Sequence, residues 1–124
     1  MTMMETTVAT SNCTNTRKHS LCPKFTESFK ILGKKWNGMI LEVLLTNGAS
    51  RFKDIAQTII KCSDRVLVER LKELEQEGLI NRVTHENSSL IEYVLTDKGE
   101  ALAPVLQAAH AWGDDWISDE ECED

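Results

Sequence analysis

Residues 51–96 read RFKDIAQTIIKCSDRVLVERLKELEQEGLINRVTHENSSLIEYVLT, and the changes of period along this stretch decide the fold. Phe52, Ile55, Ala56 and Ile59 recur at three- and four-residue steps, the spacing that lines one side of a helix, so a short helix is predicted over 52–59. Cys62-Ser63 interrupts the pattern as a turn. The Ser63 hydroxyl is suited to accept a backbone N–H at the start of the next helix. Leu67, Leu71 and Leu74 then give a buried stripe over 64–77, with Arg65, Glu69, Lys72 and Gln76 on the opposite face. Gly78 ends that helix. Beyond it the period falls to two. Segments 79–85 and 90–95 alternate around the polar tip Glu86-Asn87-Ser88-Ser89, which reads as a hairpin.

Outward from this stretch the helical period returns on both sides. Pro23 suits a first helical turn, Phe25, Phe29 and Leu32 share a face, and Gly33 stops the first helix. A second helix is predicted from near Trp36, with Met39, Ile40, Val43 and Leu44 inward and Asn47-Gly48 closing it. After the hairpin, Thr96 caps a final long helix along which Leu102, Val105, Leu106, Ala109, Trp112, Gly113 and Trp116 repeat. Pro104 falls inside that pattern and is expected to bend the helix. The predicted fold is mainly α with a small β-hairpin: helix, helix, short helix, long helix, hairpin, helix.

Two helices joined by a tight turn and followed by a hairpin form a winged helix-turn-helix. The second of the two helices fits the DNA major groove and presents its N-terminal side chains to base edges. Here those exposed early positions are Asp64, Arg65, Val68, Glu69 and Lys72. Arg65 has the fork to read guanine and Lys72 the charge to meet a phosphate. Ser63 and the helix N-terminus can hold a second phosphate, and Lys53 on the preceding helix faces the backbone. His85, Asn87, Ser88 and Ser89 are the wing candidates.

Composition permits this reading only once its distribution is seen. The 124 residues suit one domain, with 41% hydrophobic and 27% charged residues. Net charge is −6, which disfavours a nucleic-acid partner, yet seven acids and no Lys or Arg lie in 114–124. Without that segment, fourteen Lys and Arg face thirteen acids, a balance of +1. Residues 51–72 hold six basic side chains against three acidic ones. A basic stretch beside an acidic tail fits a DNA binder. Residues 1–21 are polar and aperiodic and read as a disordered arm, 22–117 as the winged-helix domain, and 118–124 as an acidic flexible tail. No apolar run is long enough to span a bilayer, and the N-terminus carries no secretory signal, so no membrane partner and a cytoplasmic location are expected.

The strings Cys22-Pro23, Leu32-Gly33-Lys34-Lys35-Trp36, Arg51-Phe52, Glu69-Arg70-Leu71, Glu73-Leu74, Gly78-Leu79-Ile80 and Tyr93-Val94-Leu95-Thr96-Asp97-Lys98-Gly99 follow one another in an order that resembles the HxlR family of bacterial regulators. Each string is weak alone; their joint order and spacing, from residue 22 to residue 116, are specific. The resemblance implies a homodimer on operator DNA whose interface is formed by the N- and C-terminal helices. Phe25, Phe29, Leu102, Val105, Leu106, Ala109, Trp112 and Trp116 are the candidate interface residues. One departure stands out: family members often carry prolines at the wing tip, where this chain has Ser88-Ser89.

Within that family, Cys22-Pro23-Lys24, Gly33-Lys34-Lys35-Trp36-Asn37-Gly38, Leu71-Lys72-Glu73-Leu74-Glu75-Gln76 and a Cys122 among acids resemble the YodB-like branch of quinone and electrophile sensors. The resemblance implies a repressor in which Cys22 is the reactive thiol and Cys122 resolves it across the dimer. A quinone or another electrophile or oxidant would be the effector. The local chemistry agrees for Cys22, because a helix N-terminus with Lys18 and Lys24 nearby favours thiolate. Acidic neighbours disfavour a Cys122 thiolate. Cys62 is expected to pack, and Cys13 to be incidental. Cys13, His19 and Cys22 match no strong zinc pattern, so no metal and no cofactor are expected. No Gly-rich phosphate loop, C-x-x-C pair or nucleophile–base set appears, so the chain does not read as an enzyme. Two other readings stay open. The same DNA binder can answer a small ligand with its cysteines as spectators, or the fold can serve protein contacts alone.

Overall fold

The computed structural model describes residues 22–121, and the expectations for the arm, Cys13, His19 and Cys122 lie outside them. The chain divides into two compact units, one up to Lys35 and one from Trp36 onward. The first contains helix α1 (Pro23–Leu32), capped at its start by Cys22 and with Pro in its first turn. No residue of α1 is buried.

The second unit runs α2 (Asn37–Asn47), β1 (Ser50–Arg51), α3 (Phe52–Thr58), α4 (Asp64–Gln76), β2 (Ile80–Thr84), β3 (Ile91–Leu95), α5 (Asp97–Glu100) and α6 (Ala103–Trp116). Its core is the predicted one in most positions. Ile40, Leu41, Val43 and Leu44 from α2 meet Ile55 and Ile59, the leucine stripe Leu67, Leu71 and Leu74, and Leu79-Ile80 at the start of the wing. Burying each such side chain is worth about 1.5–3 kcal/mol. Cys62 is buried, in keeping with its expected packing role.

Three expectations need correction. Met39 does not point inward but is 55% exposed, and Leu41 takes the core position. The wing is not a lone hairpin, because Ser50-Arg51 pairs with Tyr93 and Glu92 to make a three-stranded antiparallel sheet, order β1-β3-β2. Thr96 and Pro104 do not belong to one bent helix. Thr96 caps the four-residue α5, and Pro104 stands in the first turn of α6, where its missing N–H would have had no helical partner.

The segment Thr96–Gly99 ties the return of the wing to the end of α4. Thr96 Oγ1 accepts from the Gly99 N–H at 3.0 Å and donates to the Gly78 carbonyl at 2.6 Å. Lys98 Nζ donates to the Glu77 carbonyl at 2.6 Å. Gly78 holds φ +81°, a left-handed conformation that favours glycine after a helix. At Gly99 a Cβ would overlap the Leu79 carbonyl oxygen, so a glycine lets the two segments meet.

Candidate nucleic-acid interface and thiol site

Ser63 begins α4 as its N-cap, its Oγ accepting the Val66 N–H at 3.2 Å. Asp64, Arg65, Val68, Glu69 and Lys72 are all exposed on that helix, while the leucine stripe turns the other way. The three- and four-residue steps place Arg65, Val68 and Lys72 on one solvent face. Arg70 is different. Its side chain is only 16% exposed, and its Nη1 lies 3.6 Å from Glu73 Oε1 and 3.9 Å from Glu69 Oε1, so it belongs to the scaffold. Lys53 is exposed on α3. Its neighbour Asp54 accepts from the Arg51 Nε and backbone N–H, both at 3.4 Å. The Arg51 side-chain hydrogen bond, followed by the backbone one, holds the Asp54 carboxyl below its ordinary value.

The wing tip is exposed from Thr84 to Ser89. Asn87 takes φ 61° there, a conformation that asparagine tolerates better than most residues. Ser88 Oγ accepts the Leu90 N–H at 3.0 Å, and His85 Nε2 lies 3.1 Å from Glu92 Oε1. The wing candidates therefore already hold part of the loop in shape. Sequence reasoning passed over three exposed cations of the same unit, Arg51, Lys61 and Arg82. A count of basic residues in 51–72 included the first two, but Arg82 needed the strand register, in which it faces Tyr93.

Cys22 is half-buried at the N-cap of α1, where the Phe25 N–H points at its Sγ from 3.5 Å. Once the sulfur is reduced, that N–H and the helix dipole favour its thiolate. Cys22 is disulfide-bonded in this structure. Among the candidate interface residues, Phe25 and Phe29 are each 57% exposed, with ring centroids 5.0 Å apart. On α6, Trp112 and Trp116 are 60% and 72% exposed, Val105 and Ala109 are exposed, and Leu102 and Leu106 are half-buried. Among the described residues no group of His, Cys, Asp and Glu is placed to hold a metal, and no helix is long and apolar enough to cross a membrane.

A capped recognition helix beside a three-stranded wing is the architecture of a helix-turn-helix transcription regulator, a class that is not enzymatic. The chain belongs to the HxlR family, whose HxlR-like helix-turn-helix model matches residues 31–121. It is 44% identical over 109 residues to the HTH-type transcriptional regulator YodB of Bacillus subtilis strain 168, covering 86% of this chain and 96% of that one. The solved structure of the reduced form of YodB superposes with a TM-score of 0.71 at 43% identity, covering 80% of this chain and 97% of that one. Quinone-bound YodB superposes with a TM-score of 0.68 at 46% identity, covering 77% of this chain and 100% of that one.

Proposed function

We propose that this regulator is a homodimeric repressor whose grip on operator DNA is switched by oxidation or electrophile modification of Cys22. The observation that carries the reading is the place of that sulfur. It caps a helix N-terminus 3.5 Å from a backbone N–H, on a helix none of whose residues is fully buried. The solved quinone complex of a relative 46% identical supports a quinone as effector.

On DNA, Arg65 and Lys72 enter the major groove with Asp64, Val68 and Glu69 beside them. Ser63 and Lys53 hold phosphates, and the His85–Ser89 tip reaches the flanking backbone. The dimer forms through Phe25 and Phe29 of α1 and the Val105, Trp112 and Trp116 side of α6. Exposed aromatics of this size otherwise leave a large apolar surface in water.

With a quinone, the Cys22 thiolate adds to a ring carbon and a C–S bond forms; one oxygen takes a proton from solvent, the proton of the attacked carbon moves to the other oxygen, and the product is a hydroquinone thioether. With diamide, Cys22 and a second thiol each give up a proton and an electron to form a disulfide, and the diazene is reduced to a hydrazine. Cys122 is the proposed second thiol, from the partner subunit. Either change acts on α1 and hence on the dimer seam. The two recognition helices must sit about 34 Å apart to read successive half-sites, so a shifted seam releases the operator.

The test is a gel shift on the DNA upstream of the protein's own reading frame, with and without diamide. Wild type should release DNA under diamide and rebind after dithiothreitol, while Cys22→Ser stays bound throughout. Release of the Cys22→Ser protein by diamide would refute the switch.

A further inference from the structure

Between α2 and α6 lies an open groove of about 600 Å³, within the range of small-molecule sites. Its lining is predominantly apolar, with Met39 and Val43 on one wall and Leu106 and Ile117 on the other. Met39, expected in the core, is exposed and lines this groove. A single cross-link spans the groove, His110 Nε2 to Glu42 Oε2 at 3.0 Å. Two further carboxylates, Asp114 and Asp119, line it, and among the described residues His110 is its only nitrogen base.

Both walls carry a helical glycine facing open space. A Cβ on Gly38 would meet nothing within 4 Å, and one on Gly113 only Ile117 Cδ1, at 3.9 Å. Neither has the positive φ that calls for glycine, and neither lets backbone approach backbone. Gly113 lies in the last turn of α6, where alanine would be favoured by up to about 1 kcal/mol. What these glycines do provide is room in the groove.

We propose that the groove binds an amphipathic organic cation as a second effector. Its apolar body lies on Met39, Val43, Leu106 and Ile117 above the two glycines, and its charged head sits between Asp114 and Asp119. An excess of carboxylates over cations selects the sign of the ligand, and the apolar walls select its body. The groove borders the tryptophan stripe on α6, because Leu106 and Ala109, two of the candidate interface residues, also line it. Leu106, His110 and Gly113 face α2, whereas Val105, Trp112 and Trp116 do not line the groove. An occupant therefore bears on one edge of the proposed dimer seam, and it needs no cysteine.

The test is calorimetric titration of the full-length protein with tetraphenylphosphonium and, separately, with tetraphenylborate, ions of like shape and opposite charge. The phosphonium should bind at least about tenfold more tightly than the borate, and Asp114→Asn with Asp119→Asn should remove about that factor. Gly113→Leu should abolish binding without lowering the melting temperature, and Gly38→Leu on the opposite wall should do the same. Sedimentation of the glycine variants should match wild type. Equal binding of the two ions, no binding of the phosphonium, or full binding by both glycine variants would overturn the proposal. Dissociation of both glycine variants into monomers would overturn it too, assigning the groove to a second copy of the chain.

Discussion

Arg65 and Lys72 lie on the same solvent face of α4, yet they do different work in the proposed complex. A guanidinium that reads guanine discriminates between sequences, whereas an ammonium on a phosphate does not. Arg65→Ala should therefore weaken operator binding by roughly 1–3 kcal/mol and relax specificity at one base pair, measured by competition against single-base operator variants. Lys72→Ala should weaken operator and unrelated DNA alike and lower the salt slope of binding by about one. Asp54 gives a pH prediction of defined sign. Its carboxyl is held below the ordinary 3.8 chiefly by the Arg51 side chain, so its contribution is present above that value and fades as pH falls through the lowered one. Melting curves taken down through the carboxylate range should lose part of their acid slope in Asp54→Asn. Arg70 shows the limit of residue counting. It is one of six basic residues in 51–72, but Glu69 and Glu73 turn it into scaffold.

The helix-turn-helix was legible because Ile55, Ile59, Leu67, Leu71 and Leu74 keep a helical period and Ser63 carries a capping hydroxyl. The wing was legible because period two replaces it after Gly78. What escaped had no periodic signal. Ser50-Arg51 is too short to alternate, and its strand exists only because β3 presents Tyr93 and Glu92 to it. Pro104 inside an apolar repeat fits either a bend or a new helix start, and only the two-helix break around Ala101 decides between them. Met39 satisfied the inward pattern of α2, but the α2 core face is centred on Ile40, Leu41 and Leu44. The Thr96–Gly99 link between wing and recognition helix was legible as a string and not as a mechanism. It predicts that Gly99→Ala, which drives a methyl into the Leu79 carbonyl, lowers the melting point sharply. Thr96→Val should lose the bonds to Gly78 and Gly99, about 0.5–1.5 kcal/mol each, with thermal unfolding as the check.

At the scale of the whole molecule, α1 buries no residue and α6 exposes two tryptophans, so the single chain leaves its own ends unfinished. A second copy completes them in the proposed assembly, and Trp112→Ser with Trp116→Ser should shift the protein to a monomer in sedimentation. Operator affinity should fall in parallel, since each subunit then reads one half-site alone. The net charge of −6 conceals this function, because the acids of 114–124 offset a basic recognition unit. In the proposed switch, modification of Cys22 itself sets operator occupancy. The most direct measurement of this is a titration with a benzoquinone in which intact-mass and peptide mapping give the fraction of Cys22 modified, while a gel shift gives the fraction of DNA released from the same sample. Release should rise with Cys22 modification and be absent in Cys22→Ser. Full modification of Cys22 with the operator still bound would contradict it.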